Sequence, residues 1–597
     1  MSNTVGNKVE SDDLTIKEVF EDFYIVPDYQ REYVWDTSNV EQFLTDIHEA
    51  LYNLEGKPLD QSEYFIGSIV VCPEGTNLFQ LIDGQQRLTT SYLVLCAVRD
   101  AILKSNETPS DSLKTLISAK TPDPKTGRDV FKYKLELQYE ESENVLVEIA
   151  KMSEIDKIPK SSKSVEHIIN AYKTIESFLN EKFGNDSEKL FSFFASFIYK
   201  IKLIKITTPN LSHALKVFET INDRGIGLNS MDLLKNLIFM KTAREDYNKL
   251  KDKWKKLITK LDSSNEKPLR FLRYYIMSKH LEKWNDGFRE DDIYEWFNSN
   301  QSAIQIDTNP LKFVDNLLKT VEDYTRFLNG IDRDGNENAN LSNIRILSGA
   351  TKQHLILLLA SEKLSKDQFN ELASQIEALL FCYIITREST KVFERNFTLW
   401  AMKLREVESE DDFQGFIDSH FKKELHNKAK DFEYAMNELS QDRIQQYRIK
   451  YILAKLTQYI ELQAWGNPMH NSLKQYVDKS VHIEHILPQT PTEDDLKLFA
   501  TSEEYYENVG LLGNVTLLEK TINTSISNNS YSEKCQGYKE SSFLLTKSLV
   551  NLPNVGQNTS LNRAVQGLKS FTDWDSNSIK ERQYILTELA KEIWLIK

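Results

Sequence analysis

The chain has 597 residues, too many for one hydrophobic core, so two or three domains are expected. Its 40% hydrophobic and 11% aromatic content excludes a disordered chain, and a net charge of −15 excludes a generally basic DNA-coating protein while leaving room for a local basic groove. Four scattered cysteines (Cys72, Cys96, Cys382, Cys535) argue against a disulfide framework or a cysteine zinc site; with no bilayer-length apolar run and no signal pattern in MSNTVGNKVESDD, a cytoplasmic protein without a membrane partner is expected.

Pro27 forces an extended entry into PDYQREYVW, where Tyr29, Arg31, Tyr33 and Trp35 fall on one face of an expected strand. A helix over Val40–Leu54 follows, then YFIGSIVV, a β-branched run expected as a buried strand. In LFQLIDGQQRLTTSYLVLCAVRDAIL the pattern predicts a strand over Leu78–Ile82, a tight turn over Asp83–Arg87 and a long apolar-faced helix over Leu88–Leu103. Gly84 lets backbone amides approach a ligand, the helix N-terminus offers unpaired N–H groups, and Arg87 adds a fork of donors. The pattern alone fits either a phosphate-binding turn or a structural one.

Ser105–Lys163 is charged and Ser/Lys-rich and reads as an insertion or a mobile loop, with TPDPKTGRD as an exposed turn. VFETINDRGIGLNSMDLLKN reads as a loop-to-helix junction, with Asn229 or Ser230 as cap and Asp232 in the first turn. Apolar spacings of three and four from about Asp246 to Ser440 predict a helical middle region. There KDKWKKLITK and HFKKELHNKAK are solvated basic faces, and Arg387, Lys391 and Arg395 would align on one helical face as a candidate contact for a phosphate backbone. DRDGNEN starts like a calcium loop, but Asn343 and not Glu stands at its twelfth position, so calcium is rejected. Helices over Tyr447–Leu462 and Ser578–Trp594 bracket the C-terminal part.

Within that part, VHIEHILPQT puts His482 and Glu484 on one strand face, with His485 on the other just before Pro488 stops the strand. GLLGNVTLLEK follows as a turn at Gly513, Asn514 and a strand; Asn523 and Lys534 lie beyond. A neutral imidazole removes a proton from water near pH 7, and carboxylate and amide oxygens suit a hard divalent ion, so these residue types together point to phosphodiester cleavage. The bland alternative is a satisfied structural cluster.

These residues resemble the ββα-metal (HNH, His-Me finger) nuclease motif as carried at the C-terminus of GmrSD-type, modification-dependent (type IV) restriction proteins. PDYQREYVW, FIGSIVV and DGQQRLTT, with the second box through Phe218, Asn222, Gly225, Leu228, Asp232 and Lys235, resemble the ParB/sulfiredoxin-like N-terminal domain of the same family; a phosphorothioate-sensing nickase family shares the architecture. The resemblance implies an α+β, mainly helical chain of three parts: a nucleotide-binding and sensing domain over 1–240, a helical scaffold over 241–440 and a nuclease domain over 441–597. It implies that His485 is the general base and Asn514 holds its loop and orients the imidazole. His482 joins the catalytic set, and Lys534 either meets the scissile phosphate or caps the element. Glu484 and Asn523 would hold Mg²⁺ or Mn²⁺, with Asn528 and Asn529 as competitors for the second place. It also implies that Asp83, Gly84, Gln85, Gln86, Arg87, Arg31, Asn222, Asp232 and Lys235 bind an NTP (GTP, CTP, UTP or ATP), with hydrolysis. Expected, then, is a nucleotide-regulated DNA endonuclease acting on modified phage DNA, by nicking or, as a homodimer or through two successive nicks, on both strands. The alternative is a nucleotide-switched DNA-binding regulator whose HNH part is an idle clamp.

Overall fold

The computed structural model describes residues 9–596 except 28–29, 31, 54–56, 60–61, 76, 123–127, 139–143, 161, 210–212, 215–216, 218–229, 285–286, 467–471 and 553–559. The chain is α/β, mainly helical, and forms two compact units, Met1–Lys251 with Ile306–Pro310, and Asp252–Gln305 with Leu311–Lys597. The stretches read from sequence as a middle region and a C-terminal module both fall within the second unit, apart from residues 241–251 and 306–310.

The first unit is built on a mixed six-stranded sheet. Its strands are β1 (Glu10–Thr15), β2 (Phe23–Val26), β3 (Tyr64–Gly75), β4 (Leu78–Asp83), β7 (Leu135–Leu137) and β8 (Ile201–Thr207), while β5 (Ser118–Pro122) and β6 (Asp129–Tyr133) form a separate hairpin. In the order β1-β8-β3-β4-β2-β7, the pairs β3–β8, β4–β2 and β2–β7 are parallel and β1–β8 and β3–β4 antiparallel. Helices α1 (Thr37–Leu51), α2 (Gln85–Lys104), α3 (Lys163–Phe183), α4 (Ser187–Lys200) and α5 (Ser230–Lys241) complete its main elements. The central helix α2 is buried continuously from Leu88 to Arg99, including the polar Thr89, Thr90 and Ser91, so it has no solvent-facing stripe over that run and lies inside the core. Buried Arg99 donates to the carbonyls of Ile149 (3.0 Å) and Ala150, anchoring the end of the Val145–Ala150 helix.

Three sequence expectations change here. PDYQREYVW is not a strand: over its described residues the backbone is irregular, and Tyr33 is buried with its hydroxyl 2.8 Å from Thr90 Oγ1. The even aromatic spacing reflects a segment pinned to α2 and not a sheet face. Ser105–Lys163 is not one long loop, since it supplies a strand of the main sheet, a hairpin and two short helices. Its polar composition belongs to exposed edges, and periods of three to five residues are too short to read. Finally α2 begins at Gln85, so Gln85, Gln86 and Arg87 form its first turn.

In the second unit the middle is helical, including α6 (Lys366–Ile385), α7 (Thr390–Leu404) and α8 (Gln446–Trp465). Arg387 breaks the expected basic face: α6 ends before it, its φ is 55°, and α7 starts after it, so it shares no helix with Lys391 and Arg395. Beyond α8 come the antiparallel pair β9 (Val481–His485) and β10 (Val515–Glu519), then α9 (Lys520–Ile526), α10 (Tyr531–Glu540) and α11 (Ser576–Ile593).

Candidate active site

Valine and isoleucine alternate with His482, Glu484 and His485 in β9, and Pro488 prevents its extension. The register pairs His485 with Val515, Glu484 with Thr516 and His482 with Leu518. With α9 following directly on β10, the pair makes a ββα unit with His485 at the last position of its first strand. Histidines 482 and 485 therefore leave the strand on opposite faces, and Glu484 shares the face of His482.

Asn514, fully buried, ties down the loop after His485. Its side-chain oxygen accepts from Leu487 N (2.7 Å) and from the Trp574 indole N–H (2.9 Å), its amide nitrogen donates to Val509 O (3.1 Å), and its carbonyl accepts from Ile486 N (2.9 Å). It meets the backbone and not the ring. Behind it, α11 buttresses the turn: Arg582 donates to the carbonyls of Gly513 (2.6 Å) and Val515 (2.8 Å), and the Gly513 N–H donates to Gln583. A Cβ on Gly513 would collide with the Ile579 carbonyl and sit 3.0 Å from Gln583 N, so this glycine permits close helix packing.

Glu484 is buried, and its Oε1 accepts from Lys534 Nζ (2.8 Å) and Tyr538 OH (3.0 Å), both presented by α10. Burial pushes its carboxyl above the ordinary range, with the Lys534 charge and these hydrogen bonds pulling it back. Lys534, also buried, donates to the His485 carbonyl (2.6 Å), so its ammonium faces the strand end from within. The imidazole of His485 has its pKa pulled down to about 4 by burial and secondarily by the Lys534 charge, which leaves it neutral at physiological pH. Its Nε2 meets the side-chain amide nitrogens of Gln441 (3.0 Å) and Gln489 (3.2 Å).

Asn523, on α9, lies with Nδ2 3.1 Å from His482 Nδ1, while its buried Oδ1 has no hydrogen-bond partner among the described residues. An orphaned amide oxygen, with a carboxylate and an imidazole along one strand face, is a donor set that fits a hard divalent ion. No group of three or more His, Cys, Asp or Glu suited to a metal occurs among the described residues, so the amide is essential to that fit. Asn528 and Asn529 are exposed, and the Asn528 amide donates to Thr490 O (2.6 Å).

In the first unit, Gly84 caps α2 with φ 82°, and a Cβ there would meet Ile69 Cγ2 at 2.7 Å and Ser68 O at 2.8 Å. Gly67, with φ 103°, makes room for the Arg87 guanidinium, whose Nη1 donates to Ile66 O (3.1 Å). Gln86 devotes its amide to backbone: Oε1 accepts from Val34 N (2.9 Å) and Trp35 N (3.3 Å), and Nε2 donates to Glu32 O (3.1 Å). Burial raises the Asp83 carboxyl, opposed by the charge of Arg87. Gln85 occupies the first turn of α2, and Asp232 and Lys235 lie half-buried on α5. Arg31, Asn222, Phe218, Gly225 and Leu228 lie outside the described residues.

Sequence reasoning missed Gln441, Gln489, Tyr538, Trp574, Arg582 and Gln583. Only Gln489 stands in the quoted motif stretch, as a polar residue after Pro488 with no sign of its target; the one signal for α11 was its amphipathic period, which marks a helix without naming its target. Residues 14–239 match the family described as GmrSD restriction endonuclease, N-terminal domain, and residues 427–589 match GmrSD restriction endonucleases, C-terminal domain. No curated protein matches the chain.

Proposed function

The chain belongs to the GmrSD restriction endonuclease family, and on that premise we propose that it is a nucleotide-regulated, divalent-metal-dependent endonuclease that cuts modified phage DNA with its C-terminal ββα unit. The observation that carries the proposal is one short ββα unit that holds an imidazole at the end of β9, a following loop locked by Asn514 and, on the other face of the strand, the Glu484 carboxylate with His482 and the unpartnered amide oxygen of Asn523.

The division of labour follows from the residues. His485 takes a proton from water, a task for which an unprotonated ring is required. Asn514 fixes the backbone after the strand, so the ring leaves from a constant position. Lys534 and Tyr538 hold Glu484, and Lys534 also grips the carbonyl of the base itself, which couples the two. Glu484 and Asn523 would hold Mg²⁺ or Mn²⁺; when bound, such an ion stabilises charge developing on the phosphate and leaving oxygens. The amide oxygen of Asn523 then gains the partner it lacks among the described residues.

In the N-terminal domain, the N-terminus of α2 and the Arg87 guanidinium in its first turn support binding of NTP phosphates. Gln86 instead holds the 32–35 segment, so its part in that site is to shape the wall. The nucleotide state would control cutting, which protects host DNA from an always-active nuclease. The test is cleavage of modified phage DNA and of plain plasmid with Mg²⁺ or Mn²⁺, with and without NTP and chelator. Metal-dependent cutting that favours modified DNA and responds to NTP is expected; binding without cutting under every condition would instead support the nucleotide-switched DNA-binding regulator.

A further inference from the structure

The imidazole of His485 is held at one nitrogen. Nε2 lies 3.0 Å from the amide nitrogen of Gln441 and 3.2 Å from that of Gln489, so an accepting amide requires a half-turn of its last torsion, whereas no described residue hydrogen-bonds Nδ1. Gln489 is exposed, but Gln441 is half-buried and fixed in place. It opens the short turn Gln441–Arg443, which leads into α8. The preceding Ser440 bridges to Leu511 and its hydroxyl donates to Gly510 O (3.1 Å), while Leu512 N donates to Leu439 O (2.9 Å). Gln583, from α11, donates to the same Leu439 carbonyl (3.2 Å). Residues 439–441 are thereby tied to the turn that carries Asn514 into β10, so one piece of backbone places both the base loop and the amide that meets the base.

A neutral imidazole carries one N–H and one lone pair, and the group bound at Nε2 decides which nitrogen is basic. A side-chain amide offers either a donor or an acceptor by a half-turn of its last torsion. Neither Gln441 nor Gln489 has another hydrogen bond through its amide oxygen among the described residues, so that half-turn costs no contact. An amide that donates ties up the Nε2 lone pair and leaves the proton on Nδ1, so the ring has no open basic nitrogen. An amide that accepts fixes the proton on Nε2 and leaves the lone pair on unobstructed Nδ1.

Building on the nuclease role of His485, we propose that Gln441 is a positioning residue for the base: its amide oxygen accepts the Nε2–H, and Nδ1 is the nitrogen that takes the proton from water. It acts through His485 and touches neither substrate nor metal.

The experiment is ¹⁵N spectroscopy of the full chain labelled at histidine, at neutral pH, with the His485 signals assigned by their loss in His485→Ala. Wild type is expected to show a pyrrole-type Nε2 and a pyridine-type Nδ1. Gln441→Met removes the acceptor: the signals should shift toward mixed tautomers, and DNA cutting should slow about 10–100-fold in kcat with KM unchanged. Gln441→Glu, an obligate acceptor, should restore the wild-type tautomer and most of the rate. A wild-type ring protonated on Nδ1, or a Gln441→Met variant indistinguishable from wild type in spectrum and rate, overturns the proposal. Because the spectra are read without DNA, an Nε2–H ring in a chain that never cuts counts against the nuclease and supports the placement by Gln441.

Discussion

Replacing Lys534 by methionine removes the cation from one of the most enclosed ion pairs in the second unit. The two side chains retain 2% and 7% of their exposure, and Lys534 Nζ stands 2.8 Å from Glu484 Oε1. At an effective dielectric constant of about 20 the attraction is about 6 kcal/mol, which desolvation of both groups largely offsets while the pair is intact. Without the ammonium, Glu484 keeps Tyr538 as its side-chain donor but loses the counter-charge of its buried carboxylate. The uncompensated group should cost about 3–5 kcal/mol, to which the lost bond to the His485 carbonyl adds about 1 kcal/mol. Urea unfolding followed in the Lys534→Met, Glu484→Gln and double variants measures this as a cycle. The double variant should recover all but about 1 kcal/mol of the loss, because an amide in that site has no charge to strand. A single variant within about 0.5 kcal/mol of wild type, or a double variant no better than Lys534→Met, would refute the assignment of Lys534 as the internal support of Glu484.

Asn514→Ala strands the buried Leu487 N–H and the Trp574 indole and should cost roughly 3 kcal/mol, with cutting lost even where the fold persists; thermal melts and cleavage assays check both. Gly67→Ala puts a methyl where the Arg87 guanidinium lies, at a φ of 103°, so it should reproduce the loss of NTP response expected of Arg87→Ala, and an unaltered response in either variant contradicts the N-terminal assignment. Acid should weaken the fold early. Burial holds His354 down to about 3 and His280 and His485 down to about 4, whereas in the unfolded chain each titrates near 6.5. The unfolded state therefore binds more protons between about pH 4 and 6.5, and stability falls as pH drops through that window, by up to about 2 kcal/mol per histidine at pH 5. Melting temperatures that do not change between pH 7.5 and pH 5 would contradict it.

Much of the local geometry of the C-terminal candidate site could be read from sequence: strand alternation places His482, Glu484 and His485, and Pro488 marks where the strand ends. The same holds for β4 and the start of α2, where Gly84 punctuates the change of period. What could not be read is support from a distance. Arg582 and Gln583 reach the Gly513–Asn514 turn from about seventy positions on, and Gln441 reaches His485 from forty-four positions before. Nothing in a sequence period encodes such a pairing. Gln86 shows a further limit: its place inside a motif suggested a ligand contact and gave no sign that its amide holds the backbone of a neighbouring segment. Arg387 failed because a left-handed turn interrupts a spacing that otherwise suits a helix.

The most direct measurement is cleavage of modified phage DNA in Mg²⁺ or Mn²⁺ by wild type and His485→Ala, purified side by side. Cutting by the wild type, and its loss in a variant that melts at the same temperature, is the predicted result. Equal cutting by both, or none by either across metals and nucleotides, would contradict the assignment of His485 as the base of a working nuclease.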